Sequence, residues 1–153
     1  GITNNRIVTF AGDSGTGKSF LCYNIAREAQ SLGYSIVYID TEFSIELDQL
    51  HNFGIDASKE KFTLVRSNVI EDLRIFLAKL LKDLKDIKDA GDEIPKIMFI
   101  LDSAGQLASR KEVTDAVEGK EKADFTRAKT TGSMFRIINS DLGYLKIPMC
   151  VTN

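Results

Sequence analysis

The chain has 153 residues, a length that predicts one domain with a single sizeable core. Its hydrophobic content of 43% and charged content of 27% are typical of soluble globular proteins, and no apolar run is long enough to cross a membrane. We therefore expect no membrane partner. The formal net charge of −2 excludes a general attraction to nucleic acid, so any site for a polyanion must be local.

Cysteine and histidine, which form disulfides or bind zinc, are sparse. Cys22 falls in a predicted helix and Cys150 in the predicted last strand, without the paired spacing of a disulfide or zinc site. Both are predicted to be buried, reduced thiols, which suits a reducing cytosol. The single His51 cannot build a metal site, and a surface helix position accounts for it.

The most informative motif lies between the first predicted strand and the first predicted helix. Residues 6–11 are a short run rich in β-branched and aromatic residues, and apolar residues recur at helical spacing from Phe20 to Ser31. Between them the chain matches the P-loop pattern of two fixed glycines, a lysine and a hydroxyl residue. The motif comprises Gly12, Asp13, Ser14, Gly15, Thr16, Gly17, Lys18 and Ser19.

Each residue type in this motif has a chemical purpose. Glycines let the loop curl so that successive backbone N–H groups, from Ser14 to Ser19, face phosphate oxygens. Lys18 would place its charge on the β- and γ-phosphates, and the hydroxyl of Ser19 would bind Mg²⁺. The alternative is a flexible glycine loop without a ligand, but strand, loop and helix together predict an anion site at the helix N-terminus.

The remaining elements alternate between strand and helix. Strands are predicted at 34–40, 62–65, 96–102 and 147–153, a short helical stretch at 46–53, and helices at 70–90 and 124–140. This alternation predicts an α/β fold with a parallel, doubly wound sheet and helices on both faces. Residues 103–123 are charged and long for a connection, so we predict a functional or disordered loop.

Two acidic residues follow predicted strands. Asp102 ends the most hydrophobic strand, where a carboxylate is costly unless a cation or hydrogen-bond donor faces it; a magnesium shell shared with Ser19 would supply that partner. Capping of the following loop is the alternative. Glu42 follows the second strand, and ligands of such sheets lie beyond the carboxyl ends of the strands. It could orient water for attack on the γ-phosphorus, or be a solvated loop acid.

Residues 120–136 hold five cations and two acids, a local balance of +3. Lys129 and Arg136 lie seven residues apart and so share one helical face, while Arg127 lies on a different side. This stripe could follow a phosphodiester backbone. An ordinary solvated helix accounts for the pattern as well.

Several segments resemble one known family. Residues 38–43, 99–103, 107–112, 126–129 and 135–137 resemble the UvsX recombinases of T-even-like phages, which are relatives of bacterial RecA. The resemblance runs essentially end to end and is most specific from the strand ending at Asp102 to the helix that follows. It implies a RecA-like P-loop NTPase core that binds ATP with Mg²⁺ between neighbouring subunits.

The resemblance also implies an activity. Members of this family form helical filaments on single-stranded DNA, hydrolyse ATP in a DNA-dependent manner, and promote homologous pairing and strand exchange in recombination and repair. For a phage protein the expected location is the cytoplasm of the infected bacterial host. Glu42 and Lys18 would be the catalytic residues, and Ser19 and Asp102 the metal ligands. Phe20 and Asn153 would join the nucleotide site, because the family places the last strand between those leading to Lys18 and Asp102.

By the same resemblance, residues 111–123 would form the first DNA-binding loop. The cations expected to face DNA are Arg110, Lys111, Lys120, Lys122, Arg127, Lys129 and Arg136. Where relatives carry a tyrosine packed on the adenine, this chain has Gln49.

Residues 1–153 would then form a single ATPase core, with the N-terminal polymerisation element, second DNA loop and C-terminal region of the family outside this sequence. We expect such a core to be monomeric and weakly active or inactive by itself. Two other functions stay open. One is a P-loop kinase for a small acceptor, with residues 103–123 and Arg110 as its lid. The other is a non-hydrolysing ATP-binding regulator of the RecA superfamily.

Overall fold

A computed structural model describes residues 2–3, 5–120 and 126–153. The strands are β1 (Ile7–Phe10), β2 (Ser35–Asp40), β3 (Phe62–Arg66), β4 (Ile97–Asp102) and β5 (Met149–Thr152). The helices are α1 (Lys18–Ser31), α2 (Ile70–Asp89), α3 (Arg110–Val117) and α4 (Thr126–Leu145). Short 3₁₀ segments cover Leu47–Phe53 and Ala104–Gln106.

The five strands form one parallel sheet in the order β1-β5-β4-β2-β3. Parallel neighbours need crossover connections. The 3₁₀ segment Leu47–Phe53 lies in the connection from β2 to β3, and the α-helices lie in the other connections. The α/β fold with a parallel sheet is therefore confirmed. The order also places β5 between β1 and β4, as predicted.

Helices cover both faces of the sheet. This cover on both sides explains why the sequence of β4 is almost wholly apolar. Ile97, Phe99 and Leu101 pack in the core beneath α2 and α4, whereas Met98 and Ile100 pack in the core beneath α1. Successive side chains of a strand point to opposite faces, so a strand covered on both sides is apolar at every position.

The two cysteines lie in the core beneath α1. Both are fully buried and neither forms a disulfide, which confirms the prediction of buried free thiols. Burial raises the pKa of each thiol to about 12, so both stay protonated at neutral pH. Among the described residues, no helix combines the length and apolar character that a membrane crossing requires.

The prediction of one long loop over 103–123 was wrong. Within it the chain forms α3, and a capping box begins this helix: the Ser109 side chain accepts a hydrogen bond from the Glu112 N–H, and the Glu112 side chain accepts one from the Ser109 N–H. The Ser-x-x-Glu spacing of residues 109–112 is the sequence signal of this capping box. The following helix continues to Leu145 instead of ending near Ser140, and residues 124–125 lie outside the described part.

Candidate functional site

Four chain segments meet at the carboxyl edge of the sheet. They are the loop after β1, the loop after β2, the residue after β4, and Asn153 after β5. The Gly12 N–H donates to the Asn153 carbonyl at 3.0 Å, and the Asn153 N–H donates to the Phe10 carbonyl at 2.9 Å. The glycine-rich loop is therefore tied at its base to the end of β5.

Backbone geometry makes glycine necessary in this loop. Gly15 and Gly17 have φ of 78° and 86°, in the left-handed region that side chains with a Cβ disfavour. The Thr16 hydroxyl donates to the Asp13 carbonyl at 2.8 Å, and a Cβ at Gly12 would stand only 3.1 Å from that hydroxyl. Residues 12–17 thus form a tight turn leading directly into α1.

The first turn of α1 presents the groups that bind an anion. The first i→i−4 bond of the helix runs from the Leu21 N–H to the Gly17 carbonyl at 2.9 Å. The amides of Lys18, Ser19 and Phe20 precede it and have no acceptor within the helix. These amides and the positive end of the helix dipole favour a phosphate at this position.

Lys18 lies back over the loop. Its Nζ donates to the carbonyls of Gly12 at 2.6 Å and Asp13 at 2.7 Å. Within the described part of the chain no carboxylate pairs with it. The Lys18 ammonium is therefore not engaged by a described carboxylate, which suits contact with phosphate oxygens.

Asp102 is held by two buried hydroxyl groups. Tyr38 Oη donates to its Oδ2 at 2.9 Å, and Thr152 Oγ1 donates to its Oδ1 at 2.5 Å. Asp102 is 7% exposed, and Tyr38 and Thr152 are fully buried. Burial, then Cys22 and the Asp102 charge, raise the pKa of Tyr38, so the phenol keeps its proton and remains a donor. The Asp102 carboxylate is thus bonded to residues of β2 and β5, which differs from a cap on the following loop.

The donor set is compatible with Mg²⁺. Two hydrogen bonds leave Asp102 about two of its roughly four lone-pair positions. No group of three or more His, Cys, Asp or Glu residues within the described ranges could hold a metal by itself. Mg²⁺ commonly takes one or two protein oxygens and completes its shell with water and phosphate, so a site of this kind needs no larger cluster. Ser19 and Asp102 stay the predicted ligands.

We expect Tyr38→Phe to lower the free energy of unfolding by about 1–3 kcal/mol, because the buried Asp102 carboxylate loses a donor that water cannot replace. Urea denaturation at pH 7 measures this. Tyr144→Phe is the matched control, since Tyr144 donates to Asp89 at 2.6 Å but is exposed. An equal effect of both substitutions would contradict the role given to Tyr38.

Glu42 lies beside the end of β4. Ser103 Oγ donates to Glu42 Oε1 at 3.2 Å. Thr41 Oγ1 donates to the Ser103 carbonyl and accepts from the Ser103 N–H, both at 2.8 Å, which joins the ends of β2 and β4. Glu42 is exposed to solvent yet held in place. The catalytic role stays a prediction, but its carboxylate is positioned by Ser103 and is no free loop acid.

Asp40 shapes the loop that carries Glu42. Its Oδ1 accepts from the Glu42 N–H at 3.2 Å, and its Oδ2 accepts from the Ile45 N–H at 2.9 Å. Arg66 donates to the Ile45 carbonyl. Sequence reasoning missed Asp40, Thr41 and Ser103 as supports of this site. The only signal was their position at strand ends, which does not reveal their partners.

Most of the cations predicted to face DNA have partners within the chain. Arg110 forms an ion pair with Asp72 of α2, and Lys120 forms one with Glu118. Lys111 Nζ lies 2.5 Å from Asp115 Oδ2. Lys111 belongs to α3, which runs from Arg110 to Val117. The predicted DNA-binding loop over 111–123 is therefore helical in its first part. Lys122 lies outside the described residues.

The cations of α4 differ from one another. Arg127 is half-buried and donates to the Gly105 carbonyl at 2.5 Å. Lys129 and Arg136 are exposed and make no hydrogen bond or ion pair with any residue that the structure describes. These two cations are free to contact phosphates. Their role toward DNA stays a prediction.

The fold and the site together define a class. A parallel sheet with the order β1-β5-β4-β2-β3, a P-loop between β1 and α1, and an acidic residue ending β4 constitute a RecA-like P-loop core. No family model matches the sequence.

Known proteins with similar sequences point the same way. The chain is 36% identical over 117 residues to the "Recombination and repair protein" of Enterobacteria phage T4, covering 76% of this chain and 28% of that protein. It is 34% identical over 56 residues to Protein RecA of Clostridium botulinum (strain Eklund 17B / Type B), which is 37% of this chain and 16% of the relative. It is 36% identical over 59 residues to Protein RecA of Mycoplasma mycoides subsp. mycoides SC, which is 39% of this chain and 17% of the relative.

These similarities agree with the RecA-like core that the fold defines. The matches span between 16% and 28% of the length of these three relatives. The matches therefore concern the part of each relative that corresponds to the RecA-like core.

Proposed function

We propose that this chain is the ATP-binding core of a RecA-like recombinase. In the longer protein it would drive filament formation on single-stranded DNA, homologous pairing and strand exchange, with DNA-dependent hydrolysis of ATP. The observation that carries the proposal is the P-loop at the same sheet edge as Asp102 and Glu42, in a chain similar to a phage recombination and repair protein.

The triphosphate would bind across the start of α1. Amides from Ser14 to Phe20 would donate to phosphate oxygens, and Lys18 would exchange its two loop carbonyls for the β- and γ-phosphates. Asn153, tied to Gly12, would border the γ-phosphate. Bound through Ser19 and Asp102, Mg²⁺ would neutralise charge on the β- and γ-phosphates.

Glu42 would act on the attacking water. Its carboxylate would accept a hydrogen bond and then a proton from the water, while the water oxygen forms a bond to the γ-phosphorus and the bond to the β,γ-bridging oxygen breaks. The products are ADP and inorganic phosphate. Ser103 would hold the carboxylate in place, as it does in the structure.

DNA contact would begin with Lys129 and Arg136, which are the exposed α4 cations without partners in the described part of the chain. Phosphate contacts of this kind weaken as salt concentration rises. We further propose that residues 1–153 act as one core unit, monomeric in isolation and located in the cytoplasm of an infected bacterium in its natural setting.

The test combines binding and turnover. Titration calorimetry of the chain with Mg·ATP should show saturable binding, and absence of binding would refute the proposal. In the longer protein, single-stranded DNA should stimulate phosphate release. Phosphate transfer to a small acceptor would indicate a kinase instead, and ATP binding without phosphate release would indicate a regulator.

A further inference from the structure

An exposed aromatic ring stands at the start of α1. Phe20 immediately follows Ser19 and is 60% exposed. Its ring lies edge-on to that of Phe53, with 6.4 Å between centroids and 68° between planes. Phe53 is half-buried and packs on Tyr23 at 4.7 Å. An aromatic side chain that is exposed yet braced by a second ring presents an ordered apolar face to solvent.

The position of this ring relates it to the proposed nucleotide. Lys18 reaches the β- and γ-phosphates, whereas the loop amides hold the α- and β-phosphates. The Phe20 amide is the last of the free amides at the start of α1. The Phe20 ring lies against Phe53, at the end of the 3₁₀ segment Leu47–Phe53. The sugar and base extend from the α-phosphate, so they leave the site on the side opposite to the γ-phosphate.

Neighbouring aromatic residues do not offer the same surface. Phe43 is similarly exposed, at 54%, but it directly follows Glu42 and so lies at the γ-phosphate end. Gln49, in the segment that Phe20 faces, has no aromatic face. The ring of Phe20 is thus placed to contact a base bound between α1 and this segment.

We propose that Phe20 stacks on the base of the bound nucleotide and selects purine nucleotides by its aromatic face. This inference rests on the proposed ATP site but goes beyond it, since it assigns base recognition to a side chain that follows the P-loop. Purines have the larger π surface, so ATP and GTP should bind more tightly than CTP and UTP.

The experiment compares a nucleotide with a probe that lacks a base. We expect Phe20→Ala to weaken Mg·ATP binding by about 10-fold in calorimetry, a size typical of one lost base–aromatic stack. Affinity for Mg·tripolyphosphate should stay unchanged, and the preference for ATP over CTP should disappear. Phe20→Tyr should restore both ATP affinity and preference. Phe43→Ala, the matched exposed aromatic, should resemble the wild type, and circular dichroism verifies the fold of each variant.

Three results with the Phe20 variants would overturn the inference. They are unchanged ATP affinity in Phe20→Ala, equal losses for ATP and tripolyphosphate, and failure of Phe20→Tyr to restore binding. Equal losses would mean that Phe20 only supports the loop. If the wild-type chain bound tripolyphosphate as tightly as ATP, base stacking would be refuted, while the proposed phosphate site would stand. If it bound neither probe, the proposed function would fail together with this inference.

Discussion

Lys18→Ala is expected to weaken Mg·ATP binding to the chain by about 100- to 1,000-fold, the range typical when one partner of a desolvated charge pair is removed. The physical reason is that Lys18 brings a positive side-chain charge to the glycine-rich loop and has no carboxylate partner within the described residues. The substitution leaves the loop glycines and their amides in place and removes only the Lys18 ammonium and its side-chain stem. Titration calorimetry with Mg·ATP and with Mg·tripolyphosphate measures the effect, and both affinities should fall.

Lys82→Ala provides the control. Lys82 is an exposed lysine of α2 that pairs with Asp86 at 2.6 Å, on a helix that covers the sheet away from α1. Its removal changes the net charge by the same amount and should leave ATP affinity unchanged. Because Lys18 also holds the Gly12 and Asp13 carbonyls, thermal unfolding of both variants has to be compared. Wild-type ATP affinity in a folded Lys18→Ala variant would refute the phosphate role of this loop.

Glu42→Gln should slow ATP hydrolysis by the longer protein about 10²- to 10⁴-fold, the usual contribution of a general base, while sparing ATP affinity. Glutamine keeps the shape of the side chain and an oxygen that can accept the Ser103 hydrogen bond, but it cannot take a proton from water. Single-turnover phosphate release in the presence of single-stranded DNA measures the chemical step.

Glu46→Gln serves as the comparison. Glu46 is an exposed acid in the same loop, at the start of the Leu47–Phe53 segment, and its side chain makes no cap hydrogen bond there. It should retain normal turnover. Should Glu42→Gln lose ATP affinity and turnover in parallel, Glu42 would be a structural residue of the loop, and the assigned role in catalysis would be abandoned.

The local geometry of the site was readable from contiguous residues. A turn that needs left-handed φ at Gly15 and Gly17, followed at once by a helix, is encoded within a few positions, so the P-loop and α1 could be predicted before the fold was known. The same holds for β4, whose unbroken apolar run requires cover on both faces. Hydrophobic period and turn chemistry are short-range signals, and the sequence carries them directly.

The contacts that position the acidic residues depend on the fold. Tyr38 and Thr152 reach Asp102 from 64 and 50 residues away, and Ser103 reaches Glu42 across 61 residues. Strand order makes these residues neighbours, and no spacing along the chain reveals such a pairing. For the same reason, the sequence did not reveal that Arg110, one of the cations expected to face DNA, pairs with an acid 38 residues away.

Neighbouring residues alone therefore encode the glycine-rich loop, the alternating elements and the acids at strand ends. The fold sets which side chains hold those acids and which cations remain unpaired among the described residues. Hydrogen bonds and ion pairs between distant positions exist only once the sheet has brought the carboxyl ends of β1, β5, β4 and β2 side by side.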